Sequence, residues 1–251
     1  MSKPLPHDTI LPFNDEKRSK KEQVADMFDQ IAFRYDFLNR FLSGGIDIRW
    51  RKKAIRELQA IRPKKILDVA TGTADVALMT YKYLQPDHIT GIDISNGMLE
   101  IGRQKIRKLG LEPRIELRQA DSEALPFPDN HFDAITVAFG VRNFEHLQVG
   151  LAEMLRVLRP GGKLVVLEFS KPKAVGFKSL YWFYMNLVTP GIGKLVSKNK
   201  AAYQYLNDSV QAFPEGDDFL TILNETGFEA TYRKPLTLGI STIYAGSKAM
   251  L

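Results

Sequence analysis

Residues 65–75, Lys-Ile-Leu-Asp-Val-Ala-Thr-Gly-Thr-Ala-Asp, decide the fold. Ile66, Leu67 and Val69 form an apolar run of strand length behind the basic turn Arg62-Pro63-Lys64-Lys65. Thr71-Gly72-Thr73 breaks that run before a helical pattern resumes at Val76. The segment predicts strand, tight turn and helix. Such a unit presents free backbone N–H groups at the carboxyl end of a buried strand, where open parallel sheets bind nucleotides.

The chain repeats the pattern downstream. His88 to Asp93 predicts a second strand, Met98 to Leu109 a basic helix, and Arg114 to Gln119 a third strand. After a loop with two prolines, Ala134 to Phe139 predicts a fourth strand and Leu147 to Leu158 a helix. The Arg159-Pro160-Gly161-Gly162 turn then leads into a fifth strand, Lys163 to Phe169. Alternation of this kind implies a parallel, doubly wound α/β sheet with helices on both faces. Helix at Phe219 to Leu223 and a strand pair, Gly227 to Arg233 with Ile240 to Lys248, close the chain.

Ahead of the sheet, residues 1–14 predict a flexible arm and residues 15–60 N-terminal helices that cover the site. From Glu16, one face carries Val24, Met27, Phe28, Ile31, Tyr35, Leu38 and Leu42 at three- and four-residue steps. A second stripe, Phe33, Phe37 and Phe41, leaves apolar surface that the domain, a lipid surface or a greasy ligand must cover. Ser43-Gly44-Gly45 ends that helix, and Asp47 to Leu58 predicts another. Residues 61–251 then form the nucleotide-binding domain, with a helical, aromatic insertion at about 171–213 that is too rich in Trp, Tyr and Phe for a plain connector.

Composition narrows the function. With 251 residues, 44% of them apolar, the chain can bury one full core. It has no cysteine, so disulfides and thiolate metal sites are excluded, and a reducing cytoplasm fits. The run Tyr181 to Val188 is too short to span a bilayer. A net charge of +6 and a pI near 9.3 would serve nucleic acid, an anionic membrane surface or solubility. No zinc, RRM-like or helix-turn-helix signature accompanies the basic clusters, so no nucleic-acid partner is expected. Ser-His-Asp order, HExxH and Walker patterns are also missing, and no metal site is expected.

The acids choose among nucleotides. A dinucleotide fingerprint needs three glycines, whereas Ala70 and Ala74 flank the single Gly72, and Asp75 at the helix start would repel a pyrophosphate unless it is an ordinary first-turn acid. Asp68, before the turn, is poised to meet an amino group, which suits S-adenosylmethionine. Asp93 ends the second strand where ribose hydroxyls would donate to it, or else caps the helix starting near Asn96, although Ser95 and Asn96 already supply capping groups; Asp121-Ser122 either brackets an adenine amine or forms a turn. Arg142, after the fourth strand, can stabilise a developing phenolate or form a surface salt bridge to Glu145. Asn143 beside it can orient the same group, and His146 could accept a proton.

The blocks KILDVATGTAD, GIDIS, QADSEALPFPDNHFDAI and LRPGGKLVVLEFS resemble class I S-adenosylmethionine-dependent methyltransferases. Residues 35–50 (YDFLNRFLSGGIDIRW), 138–144 (AFGVRNF), 156–170 (RVLRPGGKLVVLEFS) and 202–214 (AYQYLNDSVQAFP) resemble, more narrowly, the ubiquinone/menaquinone biosynthesis C-methyltransferases. The resemblance implies a Rossmann-like seven-stranded sheet with its last strand antiparallel, and cofactor contacts at Thr71, Asp93 and Asp121-Ser122. Some relatives have Ser where this chain has Ala138, Leu38 replaces a common Met, and Ile46-Asp47-Ile48 replaces a segment that usually contains His. It further implies transfer of a methyl from S-adenosylmethionine to the ring carbon of a demethylmenaquinol, a 2-polyprenyl-1,4-naphthoquinol, with a polyprenyl methoxy-benzoquinol as the alternative acceptor.

A quinone ring is electrophilic, so the acceptor is expected to be the reduced quinol, with Arg142 lowering the pKa of its hydroxyl. The polyprenyl tail gives the aromatic insertion a reason to be apolar, and peripheral contact with the cytoplasmic face of the inner membrane is expected. Trp182 and its neighbours would otherwise cap the core or form a homodimer seam. An NAD-dependent oxidoreductase and a non-catalytic lipid-surface binding protein are the competing classes.

Overall fold

The computed structural model describes residues 5–13, 15–172 and 200–250. The aromatic run Phe177 to Leu187, and with it the expected membrane or dimer contact of Trp182, lies outside the described residues.

Ser19 and Glu22 cap each other's backbone N–H groups, at 3.3 and 2.9 Å, and start α1 (Lys20–Ser43). That is later than the expected Glu16, because the cap sets the first turn. Gly44 and Gly45, both with positive φ, end α1 and release the chain into α2 (Ile46–Arg56). The repeating units follow: β1 (Lys65–Val69), α3 (Asp75–Leu84), β2 (His88–Asp93), α4 (Asn96–Lys108), β3 (Ile115–Gln119), β4 (Phe132–Ala138), α5 (Leu147–Val157) and β5 (Leu158–Phe169). After the undescribed stretch come α6 (Lys200–Ala212), α7 (Asp217–Thr226), β6 (Glu229–Leu236) and β7 (Ser241–Ser247).

The sheet has seven strands in the order β3-β2-β1-β4-β5-β7-β6, and β7 alone runs antiparallel to its neighbours. β1 lies at the point where the strand order reverses, paired with β2 on one side and β4 on the other. Ligands bind at such a switch point, beyond the carboxyl ends of the strands. β5 begins earlier than the sequence predicts: it runs through the Arg159–Gly162 bend with a register shift opposite Asp133, because Gly161, at φ +72°, lets the strand stay paired around the corner.

Apolar clusters cover both faces of the sheet. One joins β1, β4 and β5 to Leu151 and Met154 of α5 and to Phe219 and Leu223 of α7. The other joins the opposite face to Trp50 and Ala54 of α2, Ala77 of α3 and Leu99 of α4. A third, smaller cluster holds Val24, Met27 and Ile31 of α1 against Met98 of α4 and Tyr205 of α6. This last cluster lays α1 across the carboxyl ends of the strands.

Candidate active site

The turn after β1 is fixed by a buried acid. Asp68, 1% exposed, accepts from the Thr71 hydroxyl at 2.6 Å and from the Thr136 hydroxyl of β4 at 2.6 Å. Burial pushes its carboxyl up to about 6, with the two hydroxyls opposing the rise. Thr71 N–H donates to the Ile92 carbonyl at 2.9 Å and splices the turn to the end of β2. Ala70, Gly72 and Ala74 all take left-handed φ values of 51–65°. Only one is glycine, yet the loop has the alternating left-handed backbone that a glycine-rich loop would give. For each alanine that conformation costs roughly 1–2 kcal/mol, a strain held in place at the mouth of the site.

Gly140, in the turn after β4, faces this loop. A Cβ there would stand 2.5 Å from the Ala70 Cβ, so only glycine lets the two turns approach. Between them, at the ends of β1, β2 and β4, opens a solvent-connected cleft.

Of the residues expected at the site, Gly72, Asp93, Asp121, Ser122 and Asn143 line this cleft. Asp93 accepts from Gly72 N–H at 2.8 Å and from Ser95 N–H at 2.9 Å, and burial pushes its carboxyl up to about 6. A carboxylate has about four lone-pair sites, and the Ile94 N–H also reaches this one, so its capacity is only partly used inside the protein. Asp121 accepts from Lys21 Nζ at 2.7 Å and from Glu123 N–H at 2.9 Å. With Glu123 and Glu145, four carboxylates line the cleft beside Lys21. Such a cleft favours a cation and opposes a pyrophosphate. This donor set fits the sulfonium nucleotide expected from the sequence.

Asp68, Thr71 and Arg142 are not among the lining residues. Both oxygens of Asp68 are engaged by threonine hydroxyls rather than turned toward an amino group, and Thr71 spends its hydroxyl on Asp68. Asp75 is the ordinary first-turn acid of the two readings: desolvation would raise its carboxyl, but Lys105 at 2.7 Å, with Arg51 and Arg40, holds it below the usual range.

Arg142 needs the fullest correction. It is 3% exposed, donates to the Phe139 carbonyl at 2.6 Å and to Glu168 of β5 at 2.7 Å, and stacks over the Phe169 ring at 5.4 Å. The expected surface pair with Glu145 does not form. Glu145 accepts instead from Lys20 N–H at 2.9 Å. The guanidinium charge is neutralised inside the protein, where it pins the 3-10 turn Val141–Asn143 to β5 and carries Asn143 to the cleft wall. Asn143 Oδ1 is buried and without a partner. His146 lies 63% exposed, 3.0 Å from Glu123, off the cleft wall.

The contribution of α1 was only partly legible in its periodicity. Lys21, Val24, Phe28 and Tyr35 line the cleft. Polar pins hold the helix there: Asp29 accepts from Ser95 Oγ at 2.5 Å and Gly97 N–H at 2.8 Å, and Asp36 accepts from Thr73 at 2.5 Å. The spacing of Asp29 and Asp36, seven residues on one helix face, is the signal that sequence reading passed over.

A seven-stranded sheet with one antiparallel strand, and an acid-lined cleft at its switch point, define a Rossmann-like class I methyltransferase architecture. The chain belongs to the ubiE/COQ5 methyltransferase family, which it matches over residues 16–248. It is 46% identical to the demethylmenaquinone methyltransferase of Bacteroides fragilis, over 97% of this chain and 99% of the relative. It is 50% identical to the ubiquinone/menaquinone biosynthesis C-methyltransferase of Geotalea daltonii, over 91% of this chain and 97% of that one. Among solved structures, the [4+2]-cyclase SpnF aligns with a TM-score of 0.66 at 20% identity, covering 92% of this chain and 97% of its own. A SAM-dependent methyltransferase from Thermotoga maritima aligns with a TM-score of 0.62 at 16% identity, covering 89% and 99%. That a cyclase shares the architecture shows that the fold alone does not set the reaction.

Proposed function

We propose that the protein binds S-adenosylmethionine in this cleft and methylates the ring carbon of a demethylmenaquinol, a 2-polyprenyl-1,4-naphthoquinol, to give menaquinol and S-adenosylhomocysteine. The observation that carries the reading is the near full-length identity to the Bacteroides fragilis demethylmenaquinone methyltransferase. A second acceptor, a polyprenyl methoxy-benzoquinol, is favoured by the Geotalea daltonii relative, whose name covers both quinone pathways.

When bound, S-adenosylmethionine supplies a sulfonium methyl, which the electron-rich ring carbon takes as that carbon gives up a proton. The chain's own part is positioning and charge matching. Asp93, whose acceptor capacity is only partly used inside the protein, and Asp121 hold the nucleoside hydroxyls and amine. The carboxylates around them attract the cation. Asn143 Oδ1 accepts from a ring hydroxyl, a bond that a quinone carbonyl cannot offer, so the site favours the reduced acceptor. Arg142 acts behind Asn143 by fixing its turn.

No helix among the described residues is long and apolar enough to cross a membrane. The polyprenyl tail is met instead by peripheral docking on the cytoplasmic membrane face, supported by Phe33 and Phe37, 93% and 61% exposed on the outer side of α1. The test is methyl transfer from labelled S-adenosylmethionine to short-tail demethylmenaquinol and to the benzoquinol, each beside its oxidised form. Label in the naphthoquinol is the expected result. Label in neither quinol, with tight binding of S-adenosylhomocysteine, would sink the quinone assignment and leave the methyltransferase.

A further inference from the structure

Three buried polar atoms near the end of β4 have no hydrogen-bond partner: Arg142 Nε, Asn143 Oδ1 and Tyr205 Oη. An unpaired buried group is costly to keep, so several in one neighbourhood require a cause. Arg142 and Asn143 are adjacent on the 3-10 turn, α6 packs on that turn, and Tyr205 feels the charges of both Arg142 and Glu168. Tyr205 is 2% exposed and belongs to the apolar cluster with Val24 and Met98, which themselves line the cleft, as Asn143 does. Burial raises the phenol pKa above its ordinary value, so Oη keeps its proton and can donate. Arg142 stays behind the turn, while the Tyr205 hydroxyl and the Asn143 carbonyl offer a donor and an acceptor. They complement a hydroxyl on an aromatic ring, which both donates and accepts.

We propose that Tyr205 binds the methyl acceptor, its hydroxyl and Asn143 Oδ1 together seating one ring hydroxyl beside the 3-10 turn. The inference rests on the quinol acceptor proposed above. Since Oη is sealed from solvent, the ring enters between α1 and α6 and displaces the side chains around Val24. The seat also reads the oxidation state: a quinone carbonyl accepts but cannot donate, and would leave Asn143 Oδ1 unpaired against a second acceptor.

The experiment compares the full-length wild type with Tyr205→Phe in the same methyl-transfer assay. Oη has no partner inside the protein, so the variant keeps the wild-type melting temperature and affinity for S-adenosylhomocysteine. Its KM for demethylmenaquinol rises about tenfold, the loss of roughly one hydrogen bond. With one of the two mono-O-methyl ethers of the quinol, the difference between variant and wild type disappears, which a general loosening of the fold would not produce. An unchanged KM and kcat would overturn the proposal, and so would a lowered melting temperature, which would show that Oη has an internal partner. A wild type that binds S-adenosylhomocysteine yet methylates no quinol would instead remove the acceptor reading, and this seat with it.

Discussion

Arg142 Nη1 stands 2.7 Å from Glu168 Oε1, and the two side chains are 4% and 0% exposed. The pair joins the turn after β4, which carries Asn143 to the cleft wall, to the end of β5. Burial raises the Glu168 carboxyl, and the guanidinium opposes the rise. Removing one member leaves the other charged and uncompensated, which costs about 3–5 kcal/mol in buried pairs.

Arg142→Ala and Glu168→Ala should therefore each lower stability by that amount, measured by urea unfolding. The paired replacement Arg142→Met with Glu168→Leu should recover most of it, because neither charge is then stranded. Activity of Arg142→Ala has meaning only beside this measurement. A variant that folds with wild-type stability and still loses turnover would restore the direct phenolate role that the geometry speaks against.

Asp68 gives a pH dependence whose sign is opposite to that of a salt-bridged acid. Its carboxyl is raised from 3.8 to about 6 in the folded protein, so between those values the native state holds more protons than the unfolded chain. Stability then falls as pH rises through about 6, and the loss is complete above it. For Asp68 the full effect is roughly 3 kcal/mol. Asp68→Asn keeps one acceptor for the threonine hydroxyls without the charge. Its stability relative to wild type should rise between pH 4 and pH 7, read as the difference in urea midpoint at each pH. A constant difference across that range would remove the assignment.

The sheet was legible in the sequence because β1, β2 and β4 are buried on both faces and stand out as apolar runs bounded by turns. The acids at strand ends were legible for the same reason: Asp93 and Asp121 sit where such runs stop. Arg142 was misplaced because a charge after a strand looks exposed until its partner is known, and Glu168, 26 positions later, was counted as part of an apolar strand. Tyr205 was invisible as a site residue because a tyrosine on an amphipathic helix face is ordinary core, and only the missing partner of its hydroxyl marks it. Ala70 and Ala74 were read through the absence of glycine, although the backbone they adopt is the glycine one.

Asp29 ties α1 to the first turn of α4 through Ser95 Oγ and Gly97 N–H. Asp29→Ala frees both donors at the cleft mouth, each worth about 1 kcal/mol when paired. α1 should then open more often. Hydrogen exchange of its amides should quicken, and the dissociation rate of S-adenosylhomocysteine should rise several-fold, with the sheet amides unaffected. Equal exchange in α1 for variant and wild type would show that the apolar cluster alone holds the helix.

Phe33 is 93% exposed, so in water its ring contributes almost nothing to folding. Phe33→Ser should leave the melting temperature unchanged and improve solubility. On anionic vesicles the outcome differs, because a ring buried in the acyl boundary contributes about 1.5–3 kcal/mol of transfer free energy. Partitioning measured by vesicle sedimentation should then weaken about ten- to a hundredfold. Phe33→Trp should hold binding near wild type, since indole suits the interface. Salt separates the two contributions: basic residues near the headgroups lose their attraction as ionic strength rises, whereas the loss from Phe33→Ser persists. If Phe33→Ser and wild type partition equally at low and at high salt, the outer face of α1 is not the surface that meets the lipid.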